Sequence, residues 1–222
     1  MNFNRGTYFA SVRKSLFDNA MTQQQVDGQN FKLDVWTREP PSDDLRHLSY
    51  CLATSYHETG RKMWPVEEIG KGKGKAYGRP DPVTGYAYYG RGDVQLTWAD
   101  NYKEATTKIG LSGDYDLYQH PDQALDPSIS AEVLFIGMKE GWFTGKRLQQ
   151  FFSPTADNPV AARAIVNNDI KINGERIAGY HDKFLAALVA ALERPTPTEH
   201  VVTVNITAPK GIEVKVNVVE GP

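Results

Sequence analysis

One short stretch carries side chains that could move protons. His57 and Glu58 stand side by side in "ATSYHETGRKMWPVEE" (53–68), and Glu67 and Glu68 close the same run. A zinc site of the H-E-x-x-H kind needs a second histidine four residues after the first, so that both imidazoles share a helix face. Position 61 is Arg, which excludes that chemistry. Glu58 is then either a carboxyl group lodged in a cleft as a proton donor or a helix-surface acid without a task. Between it and the "YYGRG" string at 88–92, the only other carboxylates are Glu67, Glu68 and Asp81, and Asp81 sits between two prolines in a turn.

The elements around Glu58 can be read from periodicity. Ser55, Thr54 and Cys51, three, four and seven residues before it, are all small, so its helix face is shallow enough to lie beneath a cleft. That helix restarts the chain within "EPPSDDL", with Ser42 as N-cap, carries Leu45, Leu48 and Leu52 as an apolar stripe and runs to about Thr59. Upstream, Phe9, Val12, Leu16, Phe17 and Met21 recur at helical spacing, and "TQQQVDGQNFKLDVW" reads as a second helical segment broken around Gly28. Residues 70–92, rich in Gly and Pro, form a long loop or irregular hairpin. Its Lys71, Lys73, Lys75 and Arg79 lack the order of a phosphate-binding loop and read as a solvated face, or as a contact for an anionic polymer. Further helices are expected over 99–109, 127–141, 159–168 and 174–193, which makes the body mostly α.

The bulk properties narrow the function classes. A chain of 222 residues fits one ordinary domain plus a small appendage, and a net charge of −2 argues against a nucleic-acid partner. The single cysteine, Cys51, excludes an internal disulfide, and the first residues lack the continuous apolar core of a signal peptide. No apolar run is long enough for stable membrane insertion. At residue 194 the character changes: "RPTPTEH" is a Pro-Thr linker, and Val202, Val204, Ile206 and Ile212, Val214, Val216, Val218 alternate with polar residues around "PKG". The expected division is therefore 1–194 for the body and 195–222 for a linker and β-hairpin tail. Two strands alone are marginal in water, so the hairpin should dock on the body or self-associate through residues 201–219.

Three strings, "HETG" (57–60), "YYGRGDVQLTWADNY" (88–102) and "HPDQALDPSISAEVLFIGMKEGWF" (120–143), resemble glycoside hydrolase family 19, which holds the plant-type chitinases and a group of phage endolysins. "AIVNNDIKINGERIAGYHDKFLAAL" (164–188) is similar to the family's last helical segments, so the likeness spans roughly residues 8–190. It implies a mainly α, lysozyme-like, two-lobed catalytic domain over 1–194, with irregular loops or a small hairpin at the cleft and the C-terminal hairpin appended. The lone cysteine and the missing leader resemble the endolysin branch. A peptidoglycan hydrolase is then expected, with a chitinase or a catalytically silent wall-binding virion protein as alternatives. Such an enzyme is made in the host bacterial cytoplasm, exported through a holin and acts on the wall in the periplasm.

The resemblance also distributes roles. Glu58 matches the general acid of an inverting mechanism, whose second carboxylate stands roughly 6.5–9.5 Å away with room for water. Glu67, nine residues on, resembles the endolysin base, and Glu68 is the alternative. Thr97 matches a water-holding hydroxyl. Gln95, Asn101, Tyr89, Trp98, Asn167 and Arg176 match substrate-side positions, although Gln95 and Thr97 also suit a strand, Asn101 a helix cap and the aromatics a core. Arg91 is expected to brace the loop and a carboxylate. The chemistry requires no metal or cofactor, and the five histidines show no ligand spacing.

Overall fold

One helix is buried on every side, and the others wrap it. This helix, α3 (Leu45–Glu58), keeps His47 through Tyr56 out of solvent without interruption. A helix apolar on one face would expose its Ser and His residues; here they find partners instead. Ser49 Oγ meets His181 Nδ1 at 2.8 Å, His47 Nε2 lies 3.1 Å from the Phe152 carbonyl oxygen, and Tyr56 donates to the Leu16 carbonyl at 2.5 Å. The stripe of Leu45, Leu48 and Leu52 is thus one part of an all-round core contact, with Leu45 itself only partly buried. Asp44 caps α3 through the Arg46 amide, while Ser42 Oγ accepts from the Asp44 amide, so the cap lies two residues later than expected.

The computed structural model describes residues 1–193 together with Lys210. The linker, the β-hairpin tail and the self-association expected of residues 201–219 otherwise lie outside the described residues. α1 (Arg5–Leu16) begins at Asn4, whose side chain accepts from Thr7, and buries Tyr8, Val12 and Leu16. α2 (Gln23–Arg38) opens with a reciprocal Thr22–Gln25 capping box. α4 (Ala99–Lys108) and α5 (Pro127–Glu140) follow, α5 with an Asp126 cap, Pro at its first position and Gly141 as a left-handed stop. α6 (Glu175–Ala191) packs on α3 and α1, while α2 packs on α5. The expected helix over 159–168 is only a short 3-10 turn, Ala161–Ile165.

No break occurs at Gly28, contrary to the sequence reading. A Cβ there would lie 1.9 Å from the Met63 carbonyl oxygen, so the glycine serves close approach of α2 to the chain after α3. That approach lets Lys32 reach the Met63 carbonyl at 3.0 Å and the Asp93 carboxylate at 2.8 Å, with both charged side chains wholly buried. Strand order is minimal: β1 (Val66–Glu67) pairs antiparallel with β2 (Arg91–Gly92), setting Glu67 opposite Arg91, and β3 (Phe152–Ser153) pairs with β4 (Ala156–Asp157). Among the described residues no helix is long and apolar enough to cross a membrane.

Asp93→Asn removes one charge of a fully buried pair and leaves Lys32 uncompensated; urea unfolding should show a loss of about 3–5 kcal/mol. Burial holds the His181 pKa down at about 4, against 6.5 for an unperturbed ring. The unfolded chain therefore takes up a proton near pH 6.5 that the folded ring refuses until about pH 4. Stability is fully present above that window and falls by about 3 kcal/mol as the pH drops through it. His181→Phe keeps the stack on Phe152 and should flatten the fall in Tm between those two pH values.

Candidate active site

Glu58 is the last residue of α3, where unpaired helix carbonyls repel a carboxylate. The turn beyond it is locked: Thr59 Oγ1 donates to the Ser55 carbonyl at 2.7 Å and accepts from the Met63 amide at 3.0 Å. A guanidinium offsets the repulsion, since Arg163 Nη1 lies 2.5 Å from Glu58 Oε1. Arg163 is buried on its 3-10 turn and spends its other edge on Asp169, Nε to Oδ1 at 2.5 Å and Nη2 to Oδ2 at 3.3 Å. Burial works to lower the Arg163 pKa, but the Asp169 bonds and the Glu58 charge outweigh it and hold the value above the ordinary one. Arg163 in turn holds the Asp169 carboxyl below the usual carboxylate range. Asn173 donates to Asp169 at 2.6 Å and accepts from Arg176 at 3.2 Å, so a continuous polar chain runs from Glu58 to Arg176.

A second group is built on β1 and β2. Glu67 accepts from the Tyr89 hydroxyl at 2.6 Å and from Lys71 Nζ at 3.0 Å. The Tyr89 bond first, and the Lys71 bond second, hold its carboxyl below the usual range. Its neighbour Glu68 is engaged within the loop, receiving the Tyr77 hydroxyl at 2.9 Å and the Gly90 amide at 3.2 Å. Gln95 clamps the strand pair, its amide donating to the carbonyls of Val66 and Gly92 at 3.0 and 3.2 Å. Thr97 Oγ1 donates to the Gln95 carbonyl at 2.7 Å, and Asn101, inside α4, donates to the Thr97 carbonyl at 2.7 Å. Trp98 caps α4 with φ at +76°, and its half-exposed ring meets Tyr77 edge-on.

Several sequence expectations change at this point. Tyr89 is buried, with its ring 3.7 Å beneath the Arg91 guanidinium and its hydroxyl on Glu67, so it presents no stacking face. Gln95 and Asn101 direct their amide nitrogens to main-chain carbonyls; Asn101 lies inside α4 and not at its cap, and Gln95 and Thr97 lie outside the strand, which ends at Gly92. Trp98, Asn167 and Arg176 are exposed, and Asn167 is tied to Arg163 only through its backbone amide. Arg91 braces the loop as expected, bonded to Asp122 at 3.0 Å and to the Tyr102 hydroxyl at 3.2 Å. Arg163, Asp169 and Asn173 escaped the sequence reading. The available signal was an arginine inside the apolar run "AARAIV", because a cation buried there needs carboxylate partners. Among the described residues no group of three or more His, Cys, Asp or Glu side chains is arranged to hold a metal.

The two groups meet through Asp93. Ser55, one turn before Glu58, donates to Asp93 Oδ1 at 2.6 Å, and Asp93 directly follows β2, whose Arg91 stands in register with Glu67. Tyr89→Phe should therefore raise the Glu67 pKa toward its ordinary value without moving α3. A carbon-detected NMR titration of the glutamate carboxyls checks this, and an unmoved Glu67 resonance would remove Tyr89 as the main cause.

No family model matches the chain. It is 31% identical over 142 residues to endochitinase EP3 of Arabidopsis thaliana, covering 61% of this chain and 46% of that protein. It is 29% identical over 137 residues to chitinase 4 of Oryza sativa subsp. japonica, covering 60% and 44%. The chain thus spans less than half the length of these relatives. Among solved structures, chitinase C from Streptomyces griseus superposes with a TM-score of 0.54 at 18% identity, covering 87% of this chain and 79% of that one. A class IV chitinase from Zea mays gives 0.52 at 19% identity, covering 81% and 94%. At such identities the likeness shows the fold.

Proposed function

We propose that this chain, a member of glycoside hydrolase family 19, hydrolyses β-1,4 bonds between N-acetylated amino sugars with inversion at the anomeric carbon. The observation that carries the reading is a pair of carboxyl groups in contrasting settings, Glu58 on a buried arginine and Glu67 on a tyrosine and a lysine. Glu58 gives its proton to the glycosidic oxygen as the bond to the anomeric carbon breaks. Arg163, fixed by Asp169, then stabilises the carboxylate that remains. A water molecule attacks the opposite face of the sugar and passes a proton to Glu67, which the Tyr89 and Lys71 bonds keep ionised. Thr97 donates its own proton to a carbonyl, so its lone pairs are free to accept from that water. Glu68, engaged by Tyr77 and Gly90, suits a loop clamp better than a base.

The chitinase activity of the relatives supports chitin-type N-acetylglucosamine polymers as the substrate. A second reading, a phage-type peptidoglycan hydrolase, is favoured by the exposed Lys71, Lys73, Lys75 and Arg79 directly after Glu67 in a chain of net charge −2. Peptide stems of a bacterial wall carry carboxylates that such a strip would attract, whereas chitin is uncharged. Export through a holin and action in the periplasm belong to that second reading.

Zymograms on chitin and on purified peptidoglycan, run in parallel, separate the two. Clearing of peptidoglycan alone would move the substrate to the second reading, and clearing of neither would overturn both. On whichever polymer is cleared, Glu58→Gln should lower the rate by about 10²–10⁴, because an amide fills the same space and cannot donate. Glu67→Gln should be more damaging than Glu68→Gln, and the reverse order would transfer the base role to Glu68.

A further inference from the structure

Of the basic strip Lys71, Lys73, Lys75 and Arg79, Lys71 alone makes an ion pair among the described residues, and its partner is Glu67. Its Nζ lies 3.0 Å from Oε1 and 3.0 Å from Oε2, so the ammonium straddles the carboxylate. The Tyr89 hydroxyl shares Oε1 at 2.6 Å, and Arg91, opposite Glu67 in the strand register, is engaged by Asp122. Lys71 is the solvated member of this group, with 60% of its side chain exposed against 34% for Glu67.

The backbone that delivers this ammonium is unusual. Gly70, Lys71 and Gly72 take consecutive positive φ values of +85°, +49° and +69°. A lysine enters that region at a cost, and such residues persist where the surroundings over-determine them, often beside functional groups. Here the Lys71 amide donates to the Glu68 carbonyl at 3.0 Å, and Gly72 lies so close to Gly78 that a Cβ on it would stand 2.8 Å from the Gly78 Cα. With its backbone pinned and its ammonium in solvent, Lys71 can change partner by side-chain rotation alone.

The pair acts oppositely on the two states of a base. Before reaction it keeps Glu67 ionised. As Glu67 takes a proton from the attacking water its charge falls and the attraction to Lys71 is lost, so the pair favours the ground state over the transition state. An exposed ion pair is also weak enough for a second carboxylate to compete for the cation. We propose that Lys71 determines specificity by exchanging from Glu67 onto a carboxylate of an acidic glycan, which frees the base when that substrate is bound. The exchange rests on the proposed role of Glu67 as the base, through which Lys71 acts as a positioning residue. A neutral glycan offers Lys71 no partner and meets the base with its cation in place.

N-acetylmuramic acid and N-acetylglucosamine differ by one lactyl group, which carries the carboxylate, so they serve as probes. In a carbon-detected NMR titration of the full chain with either sugar in large excess, the acidic one should raise the Glu67 midpoint and the neutral one should leave it. Lys71→Met, whose midpoint already stands higher, should not respond, whereas Lys71→Arg and Lys73→Met should respond like the wild type. On neutral chitin oligomers Lys71→Met should raise kcat by roughly two- to fivefold, the strength of an exposed ion pair, with KM unchanged. A wild-type midpoint that the acidic sugar does not move overturns the exchange. So does an equal shift in Lys71→Met, which simple charge repulsion would give, a response abolished by Lys73→Met, or a fall in kcat on losing Lys71. An unharmed Glu67→Gln would remove the base role and leave the NMR response readable, so the exchange and the proposed activity fail separately.

Discussion

The buried ion pair of Lys32 and Asp93 is the constraint on which the arrangement depends. Removing two charges from water costs several kcal/mol each, and the pair is tolerable only where both are fully hydrogen-bonded. That condition is met: Lys32 also reaches the Met63 carbonyl, and Asp93 receives the hydroxyls of Ser55 and Ser130 at 2.6 and 2.7 Å. Those partners come from α2, the chain after α3, α3 itself, the end of β2 and α5. Apolar packing would join the same elements without fixing their register, because dispersion contacts have little directionality. A set of directional bonds around one carboxylate fixes where α3 ends relative to the β1–β2 pair, and hence where Glu58 stands relative to Glu67.

The same constraint explains which parts of the molecule were legible in the sequence. Helices with an apolar period, such as α4 and α5, could be placed to within a residue or two. α3 was found with its apolar stripe, but its burial on every side was not legible, because the partners of Ser49, Ser55 and His47 lie on α6, just after β2 and on β3. Gly28 read as a break because its role is to admit a backbone that comes 35 residues later in the chain, at Met63. Glu58 stood out as a candidate from its local string. Arg163, 105 residues away, did not, since a pairing over that separation leaves no local period.

The string "YYGRGDVQLTW" is mechanically constrained along its length. A Cβ on Gly90 would meet Gln95 Oε1 at 2.8 Å, and Gly92 has φ at +87°. Gln95 and Trp98 take positive φ values of +56° and +76°, uncommon for side chains of that size. Such conformations persist only when the surroundings over-determine them, and here they do. Gln95 is held by two carbonyls, and the Trp98 amide donates to the Tyr88 carbonyl at 2.9 Å. The "RGD" within it is wholly internal, with Arg91 and Asp93 both buried, which removes any reading of it as an adhesion motif.

A motif that recognises a family need not touch its substrate. Most polar letters of this string hold backbone or bury charge, so their presence reports that the scaffold is intact and says little about which sugar is bound. Under the proposed function, discrimination between polymers falls to groups the scaffold leaves exposed: the ring of Trp98, the basic strip from Lys71 to Arg79, and Asn167 and Arg176 on the Glu58 side. These belong to loops and helix ends, where side chains can change without disturbing Asp93 or its partners. Under the function proposed above, the carboxylate pair is common to neutral and acidic glycans, and the choice between them falls to charges that stand outside the buried network.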